Sequence, residues 1–315
     1  MKKTNLEPPE YPFSISHANR LFFIGSCFSD HMSSKTSAVG IPTFSQPLGI
    51  IFNPHSIADF FNYCINKRSL DDTILTRKDV FLSWIANSEI HAYEKAKLSK
   101  KLYKLRENTL AQIKNCDFLF ITFGTAWVYR FLAENKIVAN CHKLSAKDFK
   151  KELLETDRIV KQWEETIEQM QKLNPNLKII FTVSPVRHYK DGLSANFLSK
   201  SILRTSIHQL QQKFEHCYYF PAYEKVIDEL RDYSYFEKDG LHPNSIATNE
   251  IWHLFKTTLI TPASQKIIDE YVKLKTSLHH KPLHPQSEES MSFQKKTKEE
   301  IKAFQKKYAS IAFNW

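Results

Sequence analysis

A chain of 315 residues, 42% hydrophobic and 25% charged, with 23 Phe and 13 Tyr, is long enough for one large domain or two small ones and needs an interior for its aromatic rings, which excludes a disordered polymer. No apolar run approaches the about 18 residues of a membrane helix. After two lysines, the N-terminal MKKTNLEPPEYPF has Glu and Pro where a secretory leader carries its apolar stretch, so a cytoplasmic protein without a membrane partner is expected. Lys and Arg number 44 against 34 Asp and Glu, a net charge of +10. The lysines are scattered and belong to no nucleic-acid module, so the charge bears on solubility and anionic partners, and nucleic acid is not expected as one.

Taken in chain order, residues 21–24 read as a buried strand. Residues 28–95 read as an irregular insert punctuated by Pro42, Pro47 and Pro54, a candidate active-site cover in which Trp84 and His91 are placed to close over a substrate. A helix is predicted over 96–114, then a strand over 118–123. A long helix over 146–172 follows from Phe149, Leu153, Val160, Trp163, Ile167 and Met170 at spacings near 3.6, with Ser145 and Asp148 resembling a capping box. A strand over 179–183, a helix over 199–214, a strand over 218–220 and a helix over 245–257 complete the series. The strand runs lack polar alternation, as strands covered on both faces do. Strand alternating with helix predicts a parallel sheet in a three-layer α/β/α sandwich. This domain spans residues 1–261. A C-terminal helical tail, 262–315, holds one helix, the linker HHKPLHPQSEES and a Lys/Glu-rich helix near 292–308.

In an open α/β sheet, ligands bind beyond the carboxyl ends of the strands. The first strand leaves through FFIGSCFS, where Gly25 makes a turn and exposes Ser26 or Cys27 at the start of a helix. There, backbone N–H groups face an attacked carbonyl, and the helix N-terminus is expected to lower a thiol's pKa. The five cysteines are odd in number, far apart and without a C-x-x-C pair, so neither a disulfide framework nor a zinc site is expected. Cys116 and Cys217 precede apolar runs and read as core; Cys27 does not. A second exit carries Asp239-Gly240-Leu241-His242-Pro243. A D-x-x-H turn lets the carboxylate orient the imidazole through one ring nitrogen and frees the other to take a proton from a nucleophile. Arg187, His188, Cys141 and His142 stand where apolar runs end, as candidate substrate-binding residues; Arg187 has the planar fork that suits a carboxylate or phosphate. No metal or other cofactor is expected.

The stretch Gly25-Ser26-Cys27-Phe28-Ser29, with FNPHSI (52–57), TFGTAWVY (122–129), NCHK (140–143), TVSPVRH (182–188), YFPAYE (219–224), LRDY (230–233) and DGLHP (239–243), resembles the GSCFA family of the SGNH (GDSL-type) hydrolase superfamily. That resemblance implies a flavodoxin-like parallel sheet and ester or acyl-transfer chemistry without a cofactor. It implies Cys27 as nucleophile, with Ser26 the alternative one register away, and Asp239 and His242 as the orienting pair. An oxyanion hole is implied around Gly49, Asn53, Gly124 and Thr125, although Ala126 stands where the superfamily pattern has Asn. Implied substrates are small-molecule or glycan esters, with acyl-CoA as a possible donor. The rival reading is a non-catalytic glycan- or protein-binding module derived from such a hydrolase.

Overall fold

The computed structural model describes residues 4–313 and 315. Among the described residues, ten strands and nine α-helices follow one another: β1 (Leu21–Gly25), α1 (Cys27–Ala38), β2 (Thr43–Ser45), α2 (Pro54–Ile65), β3 (Ile74–Arg77), β4 (Val80–Ser83), α3 (Lys95–Asn115), β5 (Phe118–Phe123), β6 (Trp127–Phe131), β7 (Lys136–Val138), β8 (Phe149–Leu153), α4 (Thr156–Leu173), β9 (Lys178–Val183), α5 (Leu193–Lys213), β10 (Cys217–Tyr219), the short α6 (Ala222–Glu224), α7 (Ser245–Leu259), α8 (Pro262–His279) and α9 (Glu288–Lys307). The central sheet is parallel throughout, in the order β10-β9-β5-β1-β2. β6, β7 and β8 form an antiparallel sheet, and β3 and β4 a hairpin.

The alternation of side chains along a strand divides the core in two. Phe22, Ile24, Leu119, Ile121 and Phe181 face α2, α3, α4 and α5, while Leu21, Phe23, Phe120 and Ile180 face α1, α7, α8 and α9. Phe23 and Phe120 stack at 4.5 Å between centroids. This is the expected three-layer sandwich, and burial of both faces explains why its strands carry no polar alternation. No helix among the described residues is long and apolar enough to cross a membrane. The C-terminal segment is docked: Ile268, Tyr271, Ile301 and Phe304 join the second core, and Phe313 stacks on Tyr271 at 4.7 Å.

Two predicted regions differ. Residues 28–95 are not irregular; they hold α1, α2, the hairpin and β2, an edge strand of the main sheet. α1 escapes a periodicity search because its buried face is largely small and polar, Ser29, Ser33 and Thr36 beside Phe28 and Met32. Pro54 opens α2, at the first turn where its missing N–H costs nothing. Trp84 is no lid: it is 3% exposed and packs on Phe131 at 4.6 Å. The predicted helix over 146–172 begins only at Thr156, because Ser145 starts a single 3-10 turn and Phe149–Leu153 pairs with β6. Phe149 and Leu153 lie four apart, a spacing that satisfies a strand's period of two as well as a helical turn.

Candidate active site

The sheet changes its direction of winding between β1 and β5, so its crevice opens at their carboxyl ends. β1 ends at Gly25 with φ +138°, and a Cβ there would lie 2.2 Å from the Thr122 carbonyl oxygen of β5. Only glycine permits that approach. Ser26 N donates to the same carbonyl at 3.2 Å, and Ser26 Oγ accepts from Phe28 N at 3.3 Å, capping α1. Ser26 is 5% exposed and spent on the cap; Cys27 follows as the first helical residue. Gln46 fastens the turn from β2: its Oε1 accepts from Gly25 N at 3.0 Å, and its Nε2 donates to Gly25 O and Ser26 O at 3.1 Å.

Cys27 shares a small pocket with Phe28, His31, Val186, His242, Pro243 and Thr248. In the turn opposite, Asp239 Oδ1 accepts from Leu241 N at 2.8 Å and His242 N at 3.0 Å, and Asp239 Oδ2 lies 2.6 Å from His242 Nδ1. The two backbone donors and then the imidazole hold the Asp239 carboxyl down at about 2, so it stays ionised. In a neutral imidazole, a carboxylate at that distance favours the proton on Nδ1 and leaves Nε2 as the acceptor. Arg187 braces this turn, its Nη1 donating to Gly240 O at 3.3 Å and its guanidinium lying 4.6 Å from the Phe236 centroid.

The thiol expectation needs correction. Burial raises Cys27 above its ordinary range, and outweighs the lowering by the backbone N–H groups of Phe28 and Cys27 and by the charge of Lys200. Cys27 therefore rests as a thiol that needs a base, not as a ready thiolate.

Lys200 was not anticipated from the sequence. It lies on α5, 2% exposed, and its Nζ donates to Gly124 O at 2.5 Å and Ser184 O at 2.7 Å, tying the exits of β5 and β9 together. Burial pushes its ammonium down to about 7. Its signal was present: Lys200, Leu203, Ile207 and Leu210 fall on one helical stripe and all are buried. His188, half-buried with its ring 5.3 Å from Phe52, is held down at about 4 by burial and then by Lys200, so it is a neutral imidazole.

The expected oxyanion donors are unequally free. Gly49 N donates to Gln46 O at 2.9 Å, and Gly124 N to Phe52 O at 2.7 Å. Thr125 Oγ1 is 2.9 Å from Ser199 Oγ and accepts from Trp127 N. Ala126 is fully buried and its N–H donates to Ser199 Oγ at 2.7 Å. Asn53 spends only its oxygen, which caps α2 through Ser56 N at 2.8 Å; its amide nitrogen has no acceptor among the described residues. Cys141 and His142 lie elsewhere, against the β3–β4 hairpin. His142 is 1% exposed with both ring nitrogens engaged, Nδ1 by Ser88 Oγ at 2.9 Å and Nε2 by Ser83 O at 2.8 Å. Burial pushes the Cys141 thiol up to about 11.

Compared with known proteins, residues 20–255 match the model of the GSCFA family, and residues 272–314 match that of the GSCFA domain protein, C-terminal domain. No curated protein matches the chain. Among solved structures the chain is similar to a carbohydrate esterase family 3 from Talaromyces cellulolyticus, at 10% identity and a TM-score of 0.34, over 79% of this chain and 99% of that one.

Proposed function

The chain belongs to the GSCFA family, and from that premise we propose that it is a cysteine-dependent ester hydrolase or acyltransferase acting on a small-molecule or glycan ester. One observation carries the reading: Cys27, at the N-terminus of a helix, shares a pocket with a histidine whose other ring nitrogen is held by an ionised carboxylate. Cys27 Sγ attacks the acyl carbonyl and its proton passes to His242 Nε2. The tetrahedral oxyanion takes hydrogen bonds from the Asn53 amide and from the backbone N–H of Cys27, which has no other acceptor among the described residues. His242 then returns the proton to the departing alkoxide, leaving a thioester on Cys27. Water, or the hydroxyl of an acceptor, attacks that thioester with His242 again as base, which gives hydrolysis or transfer. Asp239 holds the imidazole's tautomer throughout. Ser26, spent on its cap, is the weaker nucleophile candidate. The reaction is read as cytoplasmic, in a catalytic domain of residues 1–261 with 262–315 as its docked tail.

The test is peptide-mapped mass spectrometry after brief reaction with an activated short-chain ester. An acyl mass on the peptide holding Ser26 and Cys27, removed by neutral hydroxylamine, is expected. A hydroxylamine-resistant adduct moves the nucleophile to Ser26. The second reading, a non-catalytic glycan- or protein-binding module, draws on the spent N–H groups of Gly49, Gly124 and Ala126. No adduct on folded protein favours it.

A further inference from the structure

A lysine ammonium is rarely buried unless an acid is paired with it, because the charge loses its hydration. Among the described residues two lysines are buried, and one of them follows that rule. Lys225 pairs with Glu229 and lies 4.0 Å from Glu250. Lys200, 2% exposed, has no carboxylate within ion-pair distance among the described residues. Its Nζ donates to Gly124 O and Ser184 O. Two of the ammonium's three N–H groups are therefore taken, and the third has no acceptor among the described residues. Burial pushes the ammonium down to about 7, and the one charge acting against that is the charge of Cys27. As a tie between two strand exits Lys200 is a poor choice: a neutral side-chain amide also has two N–H donors and buries no charge. What a charged group does there, and an amide does not, is act on charge that develops nearby.

That charge develops on Cys27 Sγ. Burial opposes it, and so does Asp30, one turn along α1; the N–H groups of Phe28 and Cys27 favour it, and then Lys200 from α5. His31 of α1 and His242 of the opposite turn line the same pocket. His188, beyond β9, is kept neutral by burial and by Lys200. Once the proton leaves Cys27 for His242, the thiolate lies in a dry floor beside an ammonium that two carbonyls hold in place. We propose that Lys200 is a positioning residue that acts through Cys27, as the buried countercharge that stabilises the thiolate at the β1 exit and is itself anchored to the exits of β5 and β9. The inference deepens the reading of Cys27 as nucleophile and rests on it. Each ion favours the other, so the effect is full while Lys200 carries its proton and vanishes once the amine is neutral.

The experiment reads the thiol itself: the rate at which iodoacetamide alkylates Cys27 in the full chain, followed on its peptide by mass spectrometry from about pH 6 to about pH 10. Only the thiolate reacts. In the parent chain the logarithm of the rate is expected to climb with unit slope below about pH 7, to flatten between about 7 and 9, where loss of the Lys200 charge cancels the gain in thiolate, and then to climb again. Lys200→Gln keeps donors for the carbonyls, and Lys200→Met does not. Both are expected to climb without a flat region, about tenfold slower than the parent at about pH 6 and level with it by about pH 9. His31→Gln and His242→Gln should retain the flat region. An unbroken climb in the parent chain would overturn the inference whether or not the Lys200 variants fold. So would equal rates at about pH 6 in folded Lys200→Gln, or a flat region lost in either histidine variant. Alkylation needs no ester, so a flat region without any acyl adduct would sink the hydrolase reading and leave the ion pair standing.

Discussion

The two halves of the candidate site are built in opposite ways. At the β1 exit, backbone and side chains converge from four elements: Gly25 and Ser26 are held by Thr122 of β5 and by Gln46 beyond β2, Ser26 is 5% exposed, and buried Lys200 of α5 closes the floor. The Asp239–His242 turn lies at the surface, with side chains 44% and 48% exposed, and is ordered by its own Asx-type bonds, by backbone bonds with Glu237 and by Arg187. A thiol must be placed to fractions of an ångström against the carbonyl it attacks. A base on a self-bonded turn keeps its tautomer while the turn can yield to the substrate. Under the proposed mechanism this is a fixed nucleophile and a base on an exposed turn, the division that the following experiments test.

The largest effect is expected from Cys27→Ala. If the buried half carries the chemistry, turnover of an activated ester should fall by about three orders of magnitude or more, with an unchanged unfolding curve, because the side chain removed is small and no other side chain among the described residues hydrogen-bonds to it. Turnover within tenfold of the parent chain would break the comparison at its root.

Next comes Gly25→Ala. A methyl group 2.2 Å from the Thr122 carbonyl oxygen, at a φ of +138° that L residues avoid, forces β1 and β5 apart. A loss of about 3–4 kcal/mol in urea unfolding is expected. A loss below about 1 kcal/mol would mean that the turn is not locked by the sheet.

Lys200 gives a pH-dependent test. Burial lowers its ammonium from the usual 10.5 to about 7. Between those values the unfolded chain holds a proton that the folded chain releases, so the contribution to stability rises with pH across that window and the burial penalty is complete below about 7. Lys200→Met removes this contribution. Urea titrations from pH 7 to 10 should show the parent chain gaining on the variant by up to about 1.4 kcal/mol per pH unit. A constant difference would show that the lysine is not buried as a suppressed cation.

These residues also show which parts of the molecule are legible in the sequence. The strands at 21–24, 118–123 and 179–183 declare themselves because burial on both faces demands unbroken apolar runs. The Gly-Ser-Cys turn and the D-x-x-H are legible because each chemistry needs its residues close together in the chain. What is not legible depends on tertiary neighbours. α1 buries serine hydroxyls rather than an apolar stripe, with Ser29 Oγ bonded to Ile24 O and Thr122 Oγ1. Lys200 belongs to the site only because two distant strand exits offer it carbonyls. His142 looks like a strand-end ligand, yet its loop folds back on the β3–β4 hairpin, where Ser83 O and, just beyond the hairpin, Ser88 Oγ spend its two ring nitrogens.

The smallest effect, and the one that discriminates most finely, is expected at Arg187. Read from the sequence, its fork suits an anionic substrate group; in the fold it lies on Phe236 and bonds the Gly240 carbonyl within the Asp239–His242 turn. The two roles separate kinetically. A residue that grips substrate equally in ground and transition states changes KM when removed, whereas one that positions the base changes kcat. Arg187→Ala is expected to lower kcat about tenfold with KM little altered, and to cost about 1 kcal/mol of stability or less, since the hydrogen bond is long and the turn exposed. A rise in KM at constant kcat would return Arg187 to the substrate and leave the turn held by its own Asx bonds, which would make the yielding half of the site more independent of the core than the present contacts imply.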